Sequence, residues 1–164
     1  MIFYPNSYFE KITDITPDFF KKNNIYGLLI DIDNTIITKD GNVVENLEEW
    51  AQGMSKNNIK LCILSNTNKK TKAQKMSKIL NCKYIYFAKK PLKFGFKKAQ
   101  KMLNINNKNI AVVGDQLLTD VLGANRNNMY SILVKPLNNN DIFVTKINRM
   151  IEKRILKNYF KNKS

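Results

Sequence analysis

One feature above all limits what this chain can fold into: short apolar runs rich in β-branched residues alternate with longer amphipathic segments. The runs are residues 27–32, 59–64, 83–87, 110–113 and 130–134. Between them, Leu47, Trp50, Ala51 and Met54 recur at i, i+3, i+4 and i+7, and Ala73, Met76, Ile79 and Leu80 do the same. Phe96, Ala99, Gln100 and Leu103 repeat the spacing with one polar member. Continuous apolar strands separated by amphipathic helices are βαβ units around a parallel sheet. The expected fold class is therefore α/β, a three-layer Rossmann-like parallel sheet with helices on both faces. A chain of 164 residues fits a single domain over 1–164, with the core at about 25–136.

In such a sheet, ligands sit beyond the carboxyl ends of the strands. The polar residues found there are not random. The first run ends in Asp31-Ile32-Asp33-Asn34-Thr35, and the second in Ser65-Asn66-Thr67. The third is followed by Lys89-Lys90-Pro91, and the fourth by Gly114-Asp115-Gln116 and then Thr119-Asp120. Each piece alone has a plainer reading. An Asp after a strand is commonly a turn or cap, Ser-Asn-Thr caps helices, and a Lys pair is unremarkable in a basic protein. It is the joint pattern, in order and at successive strand ends, that points to chemistry.

Composition narrows that chemistry. The chain has no histidine and only two cysteines, Cys62 and Cys82. A Ser-His-Asp triad, a Cys-His pair and the usual zinc sites are excluded. Asp31, Asp33 and Asp115 converging on one pocket would need a counterion, and oxygen ligands suit Mg²⁺. A phosphate substrate explains the remaining residues. Like charges about 3.5 Å apart cost about 5 kcal/mol per unit pair at an effective dielectric of 20, and Mg²⁺ with a lysine can offset this. Asp31 is then the nucleophile that forms an aspartyl-phosphate, and Asp33 the acid/base. Ser65 and the amide of Asn66 would hold phosphate oxygens, and Lys90 would neutralise developing charge. Thr35 is expected to contact substrate.

Asp31-Ile-Asp33-Asn-Thr35, Ser65, Lys90 and Gly114-Asp115-x₄-Asp120 resemble the four motifs of the haloacid dehalogenase (HAD)-like phosphatase superfamily. A closer resemblance lies in residues 113–126, in Ala88-Lys-Lys-Pro91, and in Pro5-x₂-Tyr8 and Asp14-Ile-Thr-Pro17. Together they resemble the YqeG-like IIIA phosphatases, over about residues 4–136. The wider family includes phosphatidylglycerophosphate phosphatases. The resemblance implies Mg²⁺ held by Asp31, the backbone carbonyl of Asp33, and Asp115. It gives Asp120 a secondary role, towards the metal or in positioning the lysine.

Asp33 to Ser65 is 32 residues and Ser65 to Lys90 is 25, which leaves no room for an inserted lid, so no cap domain is expected. An open site suits a large substrate: a lipid at a bilayer, a nucleic-acid end, a phosphoprotein, or a site closed by another subunit of an oligomer. Lys+Arg is 28 against 13 Asp+Glu, a net charge of +15, with +6 of it in residues 142–164. Coding bias or attraction to a polyanion would each produce this. A helix over about 141–161 places Val144, Ile147, Ile151 and Ile155 on one stripe, with Lys146, Arg149, Lys153 and Lys157 largely off it. That helix either packs on the core or lies on anionic phospholipid as a peripheral membrane contact. Phe3, Tyr4, Tyr8 and Phe9 could reach the same interface, although core packing suits them better. No signal peptide or spanning segment is visible, so a cytoplasmic protein is expected, with Cys62 a buried thiol and no disulfide to Cys82. The leading reading is an Mg²⁺-dependent phosphatase acting on phosphatidylglycerophosphate. The same chemistry on a nucleic-acid end, phosphoprotein or small ester is the alternative, although no nucleic-acid recognition signature is present. A non-catalytic Mg²⁺-binding module is the third.

Overall fold

The computed structural model describes residues 1–138 and 143–163, with side chains at 1–138 and 149–163. Six parallel strands form one sheet: β1 (Ser7–Phe9), β2 (Gly27–Ile30), β3 (Lys60–Leu64), β4 (Lys83–Ile85), β5 (Ile110–Gly114) and β6 (Tyr130–Val134). Their order is β1-β6-β5-β2-β3-β4. Leu29 is in register with Cys62 on one side and Val112 on the other. The chain runs outward from β2 through β3 to β4, then returns to lay β5 against the other edge of β2. The order therefore reverses between β2 and β5, and a crevice opens at such a switch point.

Alternation along the strands separates two cores. Leu28, Ile30, Ile63, Ala111 and Val113 pack on α2 (Leu47–Lys56) and α3 (Lys70–Leu80) through Trp50, Met54, Ala73 and Met76. Phe20 of α1 (Pro17–Lys22) joins the same cluster. Leu29, Cys62, Leu64 and Val112 pack on the opposite layer, α4 (Lys93–Leu103) and α5 (Leu122–Arg126), through Phe96, Ala99, Leu103 and Ala124. The three helical repeats in the sequence become α2, α3 and α4, and the fold class is as expected. Cys62 is buried, Cys82 half-buried, and both are free thiols.

With only six glycines, the chain turns on asparagine. Seven asparagines take positive φ; Asn81 and Asn104 cap the carboxyl ends of α3 and α4 in this way. Asparagine tolerates the left-handed region better than other residues with a Cβ.

Two elements depart from the sequence reading. Strand β1 is a sixth, edge strand in parallel register with β6, Ser7 opposite Ile132. Its three half-buried residues carry no strand signal of their own. The aromatic residues near it pack inward: Tyr4 on Tyr159 at 5.4 Å, Tyr8 on Phe160 at 5.5 Å, and Phe9 on Phe19 at 5.1 Å between ring centroids.

The carboxyl-terminal helix α6 (Phe143–Lys161) is the other. Residues 141–142 of the predicted span, and the side chains of Val144, Lys146 and Ile147, lie outside the described residues. Of the predicted stripe, Ile155 packs with Leu156 on a small cluster of Leu117, Val121 and Leu133, but Ile151 is 46% exposed. Glu152 and Tyr159 are buried instead. The helix is rotated so that Arg149 and Glu152 face inward, because both bond to the strand-end loops described below. No helix among the described residues is long and apolar enough to cross a membrane.

After β5 the chain makes a π-turn, Leu117–Val121, in which Val121 N donates to Gln116 O at 3.2 Å. This wide turn folds Asp120 back over Gly114. A Cβ at Gly114 would lie 2.1 Å from Cγ of Asp120. Gly114→Ala is therefore expected to force Asp120 away and destabilise the fold by about 1–3 kcal/mol, measured as a lowered Tm. An unchanged Tm would mean that the turn yields freely.

Candidate active site

Asp31 follows β2 directly, Ser65 follows β3, Asp115 follows β5, and Lys90 lies in the loop after β4. All four sit at the carboxyl edge around the switch point. The Asp31 amide donates to Val113 O at 3.0 Å, so its backbone still belongs to the sheet. A cleft of about 210 Å³ opens here, lined by Asp31, Asp33, Ser65, Asn66, Thr67 and Lys90, with Gln116 and Thr119. A larger groove of about 980 Å³ lies at the opposite ends of β3 and β4. Its residues include Glu48, Lys60, Lys78 and Cys82, and it holds none of the strand-end acids.

Lys90 is at the centre of the site. It is buried, and its Nζ donates to Oδ1 of Asp31 at 2.8 Å and to Oδ1 of Asp120 at 2.6 Å. Its backbone is clasped by one side chain. Oδ1 of Asn66 accepts the Lys90 amide at 2.7 Å, and Nδ2 of Asn66 donates to the Lys90 carbonyl at 3.1 Å. The Asn66 side chain thus fixes the lysine loop. Ser65 is buried at the cleft wall. Its Oγ accepts the Thr67 amide at 3.1 Å, leaving the hydroxyl proton for an anion. It does not cap α3, which begins five residues later.

Asp31, Asp115 and Asp120 bring carboxylate oxygens within 4.8 Å of one another. Thr35, expected as a substrate contact, is buried and does not line the cleft. Its hydroxyl sits behind the acids, 3.4 Å from Oδ2 of Asp31 and 3.5 Å from Oδ1 of Asp115. One proton cannot serve both oxygens, and both distances are long for O–H···O bonds. Two partly satisfied carboxylate oxygens thus face each other across Thr35, with Asp120 beside them. An all-oxygen donor set of this kind fits a hard divalent cation such as Mg²⁺.

The Asp33 carboxylate stands apart from this cluster. It is half-exposed on the cleft wall and paired with Lys72 of α3 at 2.6 Å. Asp115 also has a cationic partner. Arg149 of α6 bonds Oδ2 of Asp115 through Nη2, and its Nη1 donates to the Asp115 carbonyl at 2.8 Å and to Oε2 of Glu152 at 3.0 Å. Oε1 of Glu152 accepts the Leu117 amide at 2.9 Å, which ties α6 to the π-turn. The sequence reading set Mg²⁺ and Lys90 against the negative charge, and the structure adds Lys72 and Arg149. Lys72 is one lysine among many and carries no signal. Arg149 could have been found: it is one of three arginines in the chain, spaced i, i+3 from the lone acid of its helix.

Burial sets the electrostatics. It raises the Asp31 carboxyl to about 6, with Lys90 opposing the rise and Asp120 adding to it. Burial also raises Asp115 well above the usual carboxylate range, reinforced by Asp31 and Asp120 and opposed by Arg149. For Lys90 burial disfavours the charge, but Asp120 and Asp31 outweigh it and push its pKa up. The ammonium therefore stays charged, and the acids would ionise more readily with a further cation present.

Comparison with known proteins agrees with this arrangement. A family model for HAD-hydrolase-like proteins matches residues 87–136, the segment that holds Lys90, Asp115 and Asp120. Among solved structures, one of an uncharacterized Listeria monocytogenes serotype 4b protein covers 72% of this chain and 85% of that chain, at TM-score 0.58 and 16% identity. Another, from Corynebacterium glutamicum, covers 78% and 93%, at TM-score 0.56 and 17% identity. These two likenesses concern the fold alone. The probable phosphatase YqeG of Bacillus subtilis is 39% identical over 155 residues, covering 94% of this chain and 90% of that protein. The chain therefore belongs to the HAD-type phosphatase family that includes YqeG.

Proposed function

We propose that this phosphatase hydrolyses phosphomonoesters through an aspartyl-phosphate on Asp31, and that its substrate is the lipid phosphatidylglycerophosphate. The observation that carries the chemistry is the buried Lys90 ammonium bonded to Asp31 at the floor of an open cleft. Asp31 attacks phosphorus while Lys90 and the Ser65 hydroxyl hold phosphoryl oxygens. Asp33, on the cleft wall, protonates the leaving oxygen and then takes a proton from the attacking water. Asn66 and Thr35 position Lys90 and the acids. Asp31, Asp115, the backbone carbonyl of Asp33 and, secondarily, Asp120 would hold Mg²⁺, which when bound supplies positive charge against the phosphate dianion. Among the described residues no domain is inserted over the cleft, which supports a substrate that brings its own bulk, and the family's phosphatidylglycerophosphate phosphatases favour the lipid.

Asp31→Asn is expected to lower phosphate release from phosphatidylglycerophosphate by at least about 10³-fold, and Asp33→Asn by about 10²–10⁴-fold. Phosphate release from the lipid, from a nucleotide and from a sugar phosphate is to be compared with and without Mg²⁺. Full turnover by Asp31→Asn would remove the nucleophile, and a preference for a soluble ester would remove the lipid.

The raised carboxyls give a second test. A carboxyl whose folded-state pKa lies above its unfolded value favours the protonated fold. For Asp31 that contribution is complete below the ordinary value of 3.8 and is lost as pH rises through about 6. Asp115 moves in the same direction. A divalent cation at these groups is therefore expected to raise Tm more at about pH 7.5 than at about pH 5. With Mg²⁺ at about 100 times its Kd the gain is about 2.7 kcal/mol, or roughly 5–10 °C. Thermal unfolding in EDTA and in Mg²⁺ at the two pH values measures it, and equal gains would count against a carboxylate site.

A further inference from the structure

The charge of this chain is divided sharply. Between Glu49 and Asp115 lie fifteen lysines and not one acidic residue, so residues 50–114 sum to +15, equal to the net charge of the whole chain, while the +6 of residues 142–164 is offset elsewhere. The rest of the chain balances, with thirteen basic and thirteen acidic residues. A general lysine bias accounts for lysines in both parts, but it would not empty 65 consecutive residues of Asp and Glu. In the fold this segment comprises most of α2, the edge pair β3 and β4 with α3 and α4, and then β5 on the far side of β2. Thirteen of its lysines are exposed.

The site-bearing end of that edge is also apolar. In the loop after β4 and the first turn of α4, Phe87 is 57% exposed, Leu92 55% and Phe94 76%. They alternate with exposed Lys89 and Lys93 and flank the buried Lys90 of the cleft. Nζ of Lys89 lies over the Phe87 ring at 4.9 Å. Helices α3 and α4 open with lysine and without acid in the first turn, where the helix dipole favours acids. The choice costs local stability and adds positive charge at the cleft mouth.

We propose that this edge docks on an anionic phospholipid bilayer, with Phe87, Leu92 and Phe94 entering the interface and Lys89 and Lys93 meeting the headgroups. Apolar side chains set among lysines are the composition that binds such surfaces. Leu92 has no ring to stack on a base, and residues 50–114 contain no arginine for bidentate phosphate or base contacts, so a bilayer fits better than a nucleic acid. Docked this way, the protein turns Lys90 and Asp31 towards the headgroup layer. The inference deepens the lipid reading above and places the membrane contact on the β4–α4 loop rather than on α6.

Sedimentation of the full-length protein with phosphatidylcholine vesicles, with and without one-third phosphatidylglycerol, tests it. Binding is expected only to the anionic vesicles and is expected to fall with salt. Leu92→Ser/Phe94→Ser is expected to weaken it at least about tenfold while leaving p-nitrophenyl phosphate turnover unchanged within about twofold, which also shows the variant folded. Lys89→Ala/Lys93→Ala is expected to weaken binding as well. Asp31→Asn is expected to bind like the unmodified chain. Equal binding to both vesicle types, binding to neither, full binding by Leu92→Ser/Phe94→Ser, or capture by single-stranded RNA in preference to vesicles would overturn the proposal. A protein that binds anionic vesicles yet releases no phosphate from phosphatidylglycerophosphate would overturn the substrate reading and leave the docking surface standing.

Discussion

The carboxyl edge of this sheet is organised around one ammonium group. Lys90 is almost dry, as is Asp120, and Asp31 is nearly so; Nζ lies between their carboxylates. Burying such charges is costly, and the cost is recovered only when geometry and hydrogen bonding are nearly complete. The surrounding structure supplies that completeness. Asn66 fixes the lysine backbone at both its amide and its carbonyl, the π-turn brings Asp120 over Gly114, and the Gln116 amide donates to Oδ2 of Asp120 at 3.2 Å. Removing either partner would leave an uncompensated buried charge, which costs about 3–5 kcal/mol. Site and fold are therefore not separable here. Asp31 and Lys90, which line the cleft, also tie its strand-end loops together.

Much of this was legible in the sequence, for physical reasons. A strand buried on both faces must be apolar throughout, and a helix packed on one face must be apolar at helical spacing, so β2, β3, β5, β6 and α2 to α4 declared themselves. Strand β1 did not, because an edge strand of three half-buried residues needs no such pattern. Helix α6 misled, since its buried side includes Arg149 and Glu152, two charged residues that satisfy each other and the loops beneath them. A hydrophobic count places such residues outside. Strand-end carboxylates could be listed from the sequence, but their grouping could not: Asp33 and Asp31 are two residues apart, yet Asp33 turns to Lys72 while Asp31 turns to Lys90. Thr35 belongs to the same motif but sits behind the acids rather than in the cleft lining, a placement that spacing alone does not give.

Asparagine abundance has a structural use that composition alone conceals. Of the nine non-glycine residues at positive φ, seven are asparagines, and they close helices and turns where glycine is scarce. The other two are Phe87 and Lys89, at φ of 50° and 55°. A bulky residue in this region is strained by about 1–3 kcal/mol. Both precede Lys90 in the one loop where three contacts, Phe87 N to Thr67 O, Ala88 N to Ser65 O and the Asn66 clasp, bind the backbone to the end of β3. The strain is held by those bonds, and its product is a lysine aimed inward from a surface loop.

The division of charge along the chain explains how a site so rich in carboxylates can accept an anion. All four acids of the site lie outside the acid-free segment, after β2 and β5, while Lys90, Lys72, Ser65 and Asn66 lie inside it, in the loop after β3, its following helix, and the loop after β4. The cleft is the seam between the two. Three clustered carboxylates face two cations, Lys90 and Arg149, so the cluster retains an excess of negative charge that a divalent cation would reverse. The exposed lysines of the acid-free segment act at longer range and favour the approach of anions to a cleft lined by acids. The clustered acids and the long-range attraction of anions thus come from different stretches of sequence. The parallel topology joins them, because it brings strands from both stretches to the same switch point.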